Sequence, residues 1–184
     1  MTLARPGGCI IGNRPLDTHV EGLKGLGVHV EEQEHQLLLT RTTLSPVTIV
    51  LSEFSVTATE NILMAASLVP GVTILHIAAM EPHIQDLCTF LIGMGATIQG
   101  VGTHTLEIHG AKALHGTQHT IIPDQIEIGT WAVAAAATHG EVTISGVEPK
   151  HVHLILLKMR AIGIQAELAG TALSIKSSGR FRPF

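Results

Sequence analysis

From Pro82 to Gly95 the chain reads PHIQDLCTFLIGMG. Ile84, Leu87, Cys88, Leu91 and Ile92 recur at helical spacing, which predicts one amphipathic helix. Proline suits the first helical position, where its missing N–H has no intrahelical partner anyway. Glycine suits the position after the last turn, where a positive φ is needed. The same grammar occurs at Pro15 to Gly27 (PLDTHVEGLKGLG) and at Pro149 to Gly163 (PKHVHLILLKMRAIG). The prolines are 67 positions apart at each step and the glycines 68. So constant a spacing marks an internal repeat.

Outward from each glycine, short alternating stretches predict strands at Val28–Val30, Ala96–Ile98 and Ile164–Ala166. A second strand follows at Gln36–Leu39, Thr105–Ile108 and Ala172–Ile175. Two copies carry an earlier alanine-rich helix, Ala58–Leu68 or Ile126–Thr138. Each leads through Gly71 or Gly140 into a β-branched strand, Val72–Leu75 or Val142–Ile144. The full unit is therefore strand, helix, strand, helix, strand, strand, and the fold class is α/β built from repeated βαβαββ units. The first copy is expected to lack its front half, and the chain reads as an excerpt of a larger repeat protein.

The chain has 184 residues, 45% of them hydrophobic and 14% charged, enough apolar content for a core and too little charge for a disordered segment. A net charge of −4 without any Lys/Arg run speaks against nucleic acid. Aromatics at 3% leave nothing to stack bases on. No 18-residue apolar window and no signal peptide are present, so no membrane partner is expected and the chain reads as cytoplasmic. Two cysteines form no disulfide framework. The pairs His151/His153 and His104/His109 lack zinc-ligand spacing, so no metal is expected. Neither a dinucleotide fingerprint nor a phosphate loop appears, and no cofactor is expected.

Thr57 with Glu60, three residues later, reads as a capping box at a helix start. That leaves two readings, a plain capped helix or an anion site fed by free N–H groups and the helix dipole. Asp124 with Glu127 has the same grammar, so spacing alone does not choose. Cys9 lies in the glycine-rich Pro6-Gly7-Gly8-Cys9-Ile10-Ile11-Gly12, where Arg5 and Arg14 can lower a thiol pKa; it is a reactive thiol or an incidental one. Cys88, on the apolar face of its helix, reads as core. Arg14 and Asp17 flank a helix start, suited to phosphate and to a ring N–H, or else simply surface and dipole-complementing residues.

The run Pro-Gly-Gly-Cys-x-Ile-Gly-x-Arg-Pro-x-Asp resembles the UDP-N-acetylglucosamine 1-carboxyvinyltransferase family of enolpyruvyl transferases. So do Ser55-Val56-x-Ala58-Thr59, the stretch from Ala78 to Leu87, and Pro123-Asp124-x-Ile126-Glu127-x-Gly129-Thr130. The resemblance implies an inside-out α/β barrel of βαβαββ units. In it, residues 1–46 are the rear half of one unit with the cysteine loop, 47–122 a complete unit, and 123–184 a unit of the second lobe. It implies transfer of enolpyruvyl from phosphoenolpyruvate to the 3′-hydroxyl of UDP-N-acetylglucosamine with release of phosphate, the first committed step of peptidoglycan synthesis. Cys9 would protonate the methylene carbon and be alkylated by fosfomycin, and Arg14 would meet phosphate. Pro15, Leu16, Asp17 and Thr18 would line the uracil pocket, while Ser55 and Val56 would hold the diphosphate. Glu81, Asp124 and Glu127 fall in matching motifs as possible supporting residues.

The chain departs from that pattern at Glu53, where the family has Lys, at Thr57, where it has Gly, and at Gln125, where it has Arg. The family's phosphoenolpyruvate-binding Lys-Asn pair and its sugar-hydroxyl base have no counterpart in residues 1–184. The isolated chain is therefore expected to be inactive, with the remainder of the barrel, or self-association, as its protein partner. A non-catalytic UDP-sugar-binding or structural module of the same fold is the alternative.

Overall fold

Gly27, Gly95 and Gly163 have φ of 101°, 103° and 90°, the left-handed backbone that the repeat spacing requires of them. In this computed structural model, residues 1–4, 16–41, 43–177 and 181–182 are described. Each of the three glycines ends a helix: α1 (Asp17–Gly25), α3 (Pro82–Gly93) and α5 (His153–Ala161). At α3 the Gly95 N–H bonds Ile92 O at 2.9 Å and the Ala96 N–H bonds Leu91 O at 3.0 Å. Gly163 and Ile164 bond Arg160 O and Met159 O in the same way at α5. This paired closure satisfies the last carbonyls of the helix and turns the chain into the next strand.

The strands are β1 (Thr2–Ala4), β2 (Val28–Glu32), β3 (Gln36–Arg41), β4 (Thr48–Val50), β5 (Gly71–His76), β6 (Thr97–Gln99), β7 (Thr105–Gly110), β8 (Glu141–Ile144), β9 (Gln165–Ala169) and β10 (Ala172–Lys176). Helices α2 (Val56–Ala66) and α4 (Gln125–Ala137) complete the set. The strands form three sheets with orders β1-β3-β2, β4-β5-β7-β6 and β8-β10-β9. Pairing is antiparallel except for β4 with β5. The same three-strand arrangement recurs in every sheet. Val30 faces Leu39, Ile98 faces Ile108, and Ala166 faces Ile175, so the three inner positions 30, 98 and 166 repeat the glycine spacing.

Some expectations need correction. β1 pairs with β3 where β5 pairs with β7, so the first copy does have a front-half strand. The segment from Pro149 is not one helix: a 3-10 turn (Pro149–His151) precedes α5, because Val152, with φ −112°, turns its fully buried side chain into the core. Helix α2 begins two residues earlier than expected, and its cap is Ser55, whose Oγ accepts from the Ala58 N–H at 3.3 Å. Thr57 therefore does not cap. Ile92, expected on the inner face of α3, is exposed.

The chain forms two compact units, Met1–His119 and Thr120–Phe184. In the first, Leu26, Ile49, Leu51, Ile62, Leu63, Leu75, Ile84, Cys88, Leu106 and Ile108 form the main core. Val20, Val30 and Leu37 form a smaller one under the first sheet. Burial pushes the Cys88 thiol up to about 11, the behaviour of a packed cysteine rather than a nucleophile. In the second unit α4 and α5 pack on one face of β8–β10 through Ile128, Ala132, Leu156, Met159, Leu173 and Ile175. Burial, reinforced by Lys150 and opposed by Glu148, holds the His151 imidazole below its ordinary pKa. Among the described residues no helix is long and apolar enough to cross a membrane.

Candidate functional site

Gly22 sits in the middle of α1, where glycine is a poor helix former. A methyl group there would overlap the buried Ile62 side chain of α2. The missing side chain lets the two helices run close together in the same direction, with their starts side by side. Polar groups join those starts. Thr18 Oγ1, 4% exposed, donates to Glu53 Oε1 at 3.0 Å and lies 3.5 Å from Ser52 Oγ. His19 Nδ1 lies 2.9 Å from Asn61 Nδ2, and His19 Nε2 lies 3.1 Å from Thr57 Oγ1. An amide nitrogen only donates, so Nδ1 accepts and the ring proton on Nε2 is given to Thr57.

Thr59 extends the link to α3. Its buried hydroxyl donates to Ser55 O at 2.7 Å and accepts the Ala79 N–H at 3.0 Å. Ala78 is tied in turn to His104, whose Nδ1 lies 2.8 Å from the Ala78 carbonyl. The approach to α3 is thus fixed against the first turn of α2. Glu81, at the N-cap position of α3, is exposed and makes no side-chain cap bond; its carbonyl accepts from Ile84 and Gln85.

Cys9, Arg14 and Pro15 lie outside the described residues. Of the remaining candidates, Leu16, Asp17 and Thr18 stand at the start of α1 and Ser55 and Val56 at the start of α2, two segments joined through Thr18 to Ser52 and Glu53 and through His19 to Thr57. Leu16 packs against the small core, Asp17 is exposed, and the Thr18 hydroxyl is turned towards Glu53. Asp124 and Glu127 belong to the second unit. There Asp124 caps α4, accepting from the Ile126 and Glu127 N–H groups at 2.7 and 3.4 Å. Reading along the chain missed His19, Thr59 and Asn61. His19 bonds across 38 and 42 positions, a separation that leaves no local pattern.

The sequence matches the family model for EPSP synthase (3-phosphoshikimate 1-carboxyvinyltransferase) over residues 2–180. It is 43% identical over 175 residues to the UDP-N-acetylglucosamine 1-carboxyvinyltransferase of Magnetococcus marinus, covering 95% of this chain and 42% of that protein. The protein of the same name from Clostridium botulinum is 42% identical over 177 residues, covering 96% of this chain and again 42% of its own length. The chain therefore spans less than half the length of these curated relatives. Among solved structures, the enolpyruvyl transferase NikO from Streptomyces tendae aligns with a TM-score of 0.80 at 22% identity, over 100% of this chain and 45% of that one. An EPSP synthase from Acinetobacter baumannii aligns with a TM-score of 0.61 at 19% identity, over 89% and 40%. The fold is that of the enolpyruvyl transferases, and the chain belongs to the EPSP synthase family.

Proposed function

We propose that this chain carries the acceptor-nucleotide part of an enzyme that moves enolpyruvyl from phosphoenolpyruvate to the 3′-hydroxyl of UDP-N-acetylglucosamine. The observation that carries this reading is the meeting of α1 and α2. Bonds from Thr18 to Glu53 and from His19 to Thr57 join the neighbourhoods of residues 16–18 and 55–56, which the sequence resemblance assigns to the uridine and the diphosphate. The Val56 and Thr57 N–H groups, ahead of the Ala58 N–H that Ser55 Oγ caps, lack intrahelical acceptors and can receive phosphate oxygens.

In the proposed reaction the sugar hydroxyl gives its proton to a general base as its oxygen bonds to C2 of phosphoenolpyruvate, while a proton from Cys9 reaches the methylene carbon, giving a tetrahedral adduct and a thiolate. A base then takes a proton from the new methyl group, the double bond re-forms as the bond from C2 to the phosphate oxygen breaks, phosphate leaves, and the Cys9 thiolate regains a proton. Arg14 would balance the phosphate charge. No described side chain is assigned as base on the sugar hydroxyl, a group worth about 10²–10⁴-fold, so turnover by residues 1–184 alone is expected to be negligible. By the same resemblance the reaction would serve peptidoglycan synthesis in the cytoplasm.

A second observation supports completion by further repeat units. Along α4 and α5 the second unit exposes Ile126, Trp131, Val133, Leu154 and Leu157. An almost wholly apolar cavity of about 600 Å³ opens there, lined by Val133, Ala136, Met159, Ile162, Ile164 and Phe181.

The test follows ligand and thiol together. UDP-N-acetylglucosamine is expected to raise Tm, and fosfomycin in its presence to add mass at Cys9 alone, since Cys88 is buried. Cys9→Ala should keep the Tm shift and lose the adduct. A folded chain showing neither effect would refute the assignment, and sustained phosphate release would refute the inactivity.

A further inference from the structure

Two residues at the α1–α2 junction depart from the pattern that the resemblance sets, Glu53 in place of Lys and Thr57 in place of Gly. The structure engages both with α1. Glu53 accepts from Thr18 and Thr57 accepts from His19. Glu53 lies two residues before the Ser55 cap, in the segment that leads into the electropositive end of an 11-residue helix. The Thr18 hydroxyl that holds it is buried in a helix fixed by the Gly22–Ile62 contact, which makes it a positioned donor. An anion of the chain's own is thus held by α1 on the approach to that helix end.

We infer that Glu53 is a specificity-determining residue of the acceptor site. Its anchored carboxylate offsets the attraction of the α2 terminus for phosphate, so that the acceptor is selected through its base and sugar and gains little from its phosphates. The inference rests on the acceptor-nucleotide reading above and names what distinguishes this site within it. Thr18 acts through Glu53: without the hydroxyl the carboxylate is free to swing towards solvent, and part of the repulsion goes with it.

The experiment is titration calorimetry of the chain with uridine, UMP and UDP at low and high salt, for wild type, Glu53→Gln, Glu53→Lys and Thr18→Val. For wild type, affinity should change little along the series, and UDP binding should hold or improve as salt screens the repulsion. Glu53→Gln should tighten UDP several-fold and Glu53→Lys about tenfold or more, with uridine unchanged. The salt dependence should reverse for Glu53→Lys, a sign change that a merely structural role would not produce. Thr18→Val should fall between wild type and Glu53→Gln. Circular dichroism checks that each variant is folded, and Glu53 is exposed, so its replacement leaves the core intact. If all three ligands bind and the Glu53 variants follow wild type, the inference fails and the acceptor site stands. If folded wild type and variants bind none of the three, the acceptor reading fails and takes this one with it.

Discussion

Thr73 sits in the middle of β5, fully buried, and its Oγ1 has no hydrogen-bond partner among the described residues. A buried hydroxyl left unpaired costs about 1–3 kcal/mol, whereas valine has the same shape without the polar atom. Thr73→Val is expected to raise stability by about 1 kcal/mol, read as a higher denaturation midpoint at unchanged slope; a lower midpoint would mean that the hydroxyl has a partner after all. Ile77 shows a different kind of stress. It follows β5 with φ 59°, a conformation that β-branched residues disfavour, and the corresponding turn after β8 has Gly146 at φ 76°. One copy thus uses glycine where the other strains an isoleucine that packs on the main core. Proline and glycine punctuation made the helix ends readable from sequence, but neither the empty hydroxyl of Thr73 nor the φ of Ile77 has a local signature. Both depend on which neighbours surround the residue.

At the scale of elements, the α1–α2 contact organises the candidate site. Alanine at position 22 would gain about 1 kcal/mol of helix propensity, but its methyl would have to displace the buried Ile62, and overpacking of this kind costs about 1–3 kcal/mol. Gly22→Ala is therefore expected to lower stability by about 1 kcal/mol and to weaken nucleotide binding by separating the helix starts. A stability increase would show that Ile62 has room to turn away. Sequence periodicity placed α1 and α2 but not their mutual approach, since two helices whose starts are 39 positions apart can pack in many ways. The cap of α2 shows the same limit. Thr57 and Glu60 matched the capping pattern, yet the chain bends at Ser55, leaving Thr57 to meet His19.

For the molecule as a whole, the exposed apolar face of α4 and α5 sets the behaviour in solution. Large contiguous apolar patches drive association. Analytical ultracentrifugation should show concentration-dependent oligomers for the isolated chain, reduced in Leu154→Lys/Leu157→Lys. A monomer at every concentration would count against it. The repeat, its succession of elements and most helix spans were legible because proline, glycine and alternating apolar residues act locally, each constraining φ or choosing a face within a few positions. The resemblance that led to the family rested on similarly short motifs. What only the tertiary structure decided is how copies meet: that Gly22 admits Ile62, that Thr18 holds Glu53, that His19 spans to Thr57 and Asn61, and that β1 completes the first sheet. Those pairings depend on free energies of packing and hydrogen bonding between distant segments, and such energies exist only once the chain has brought the segments together.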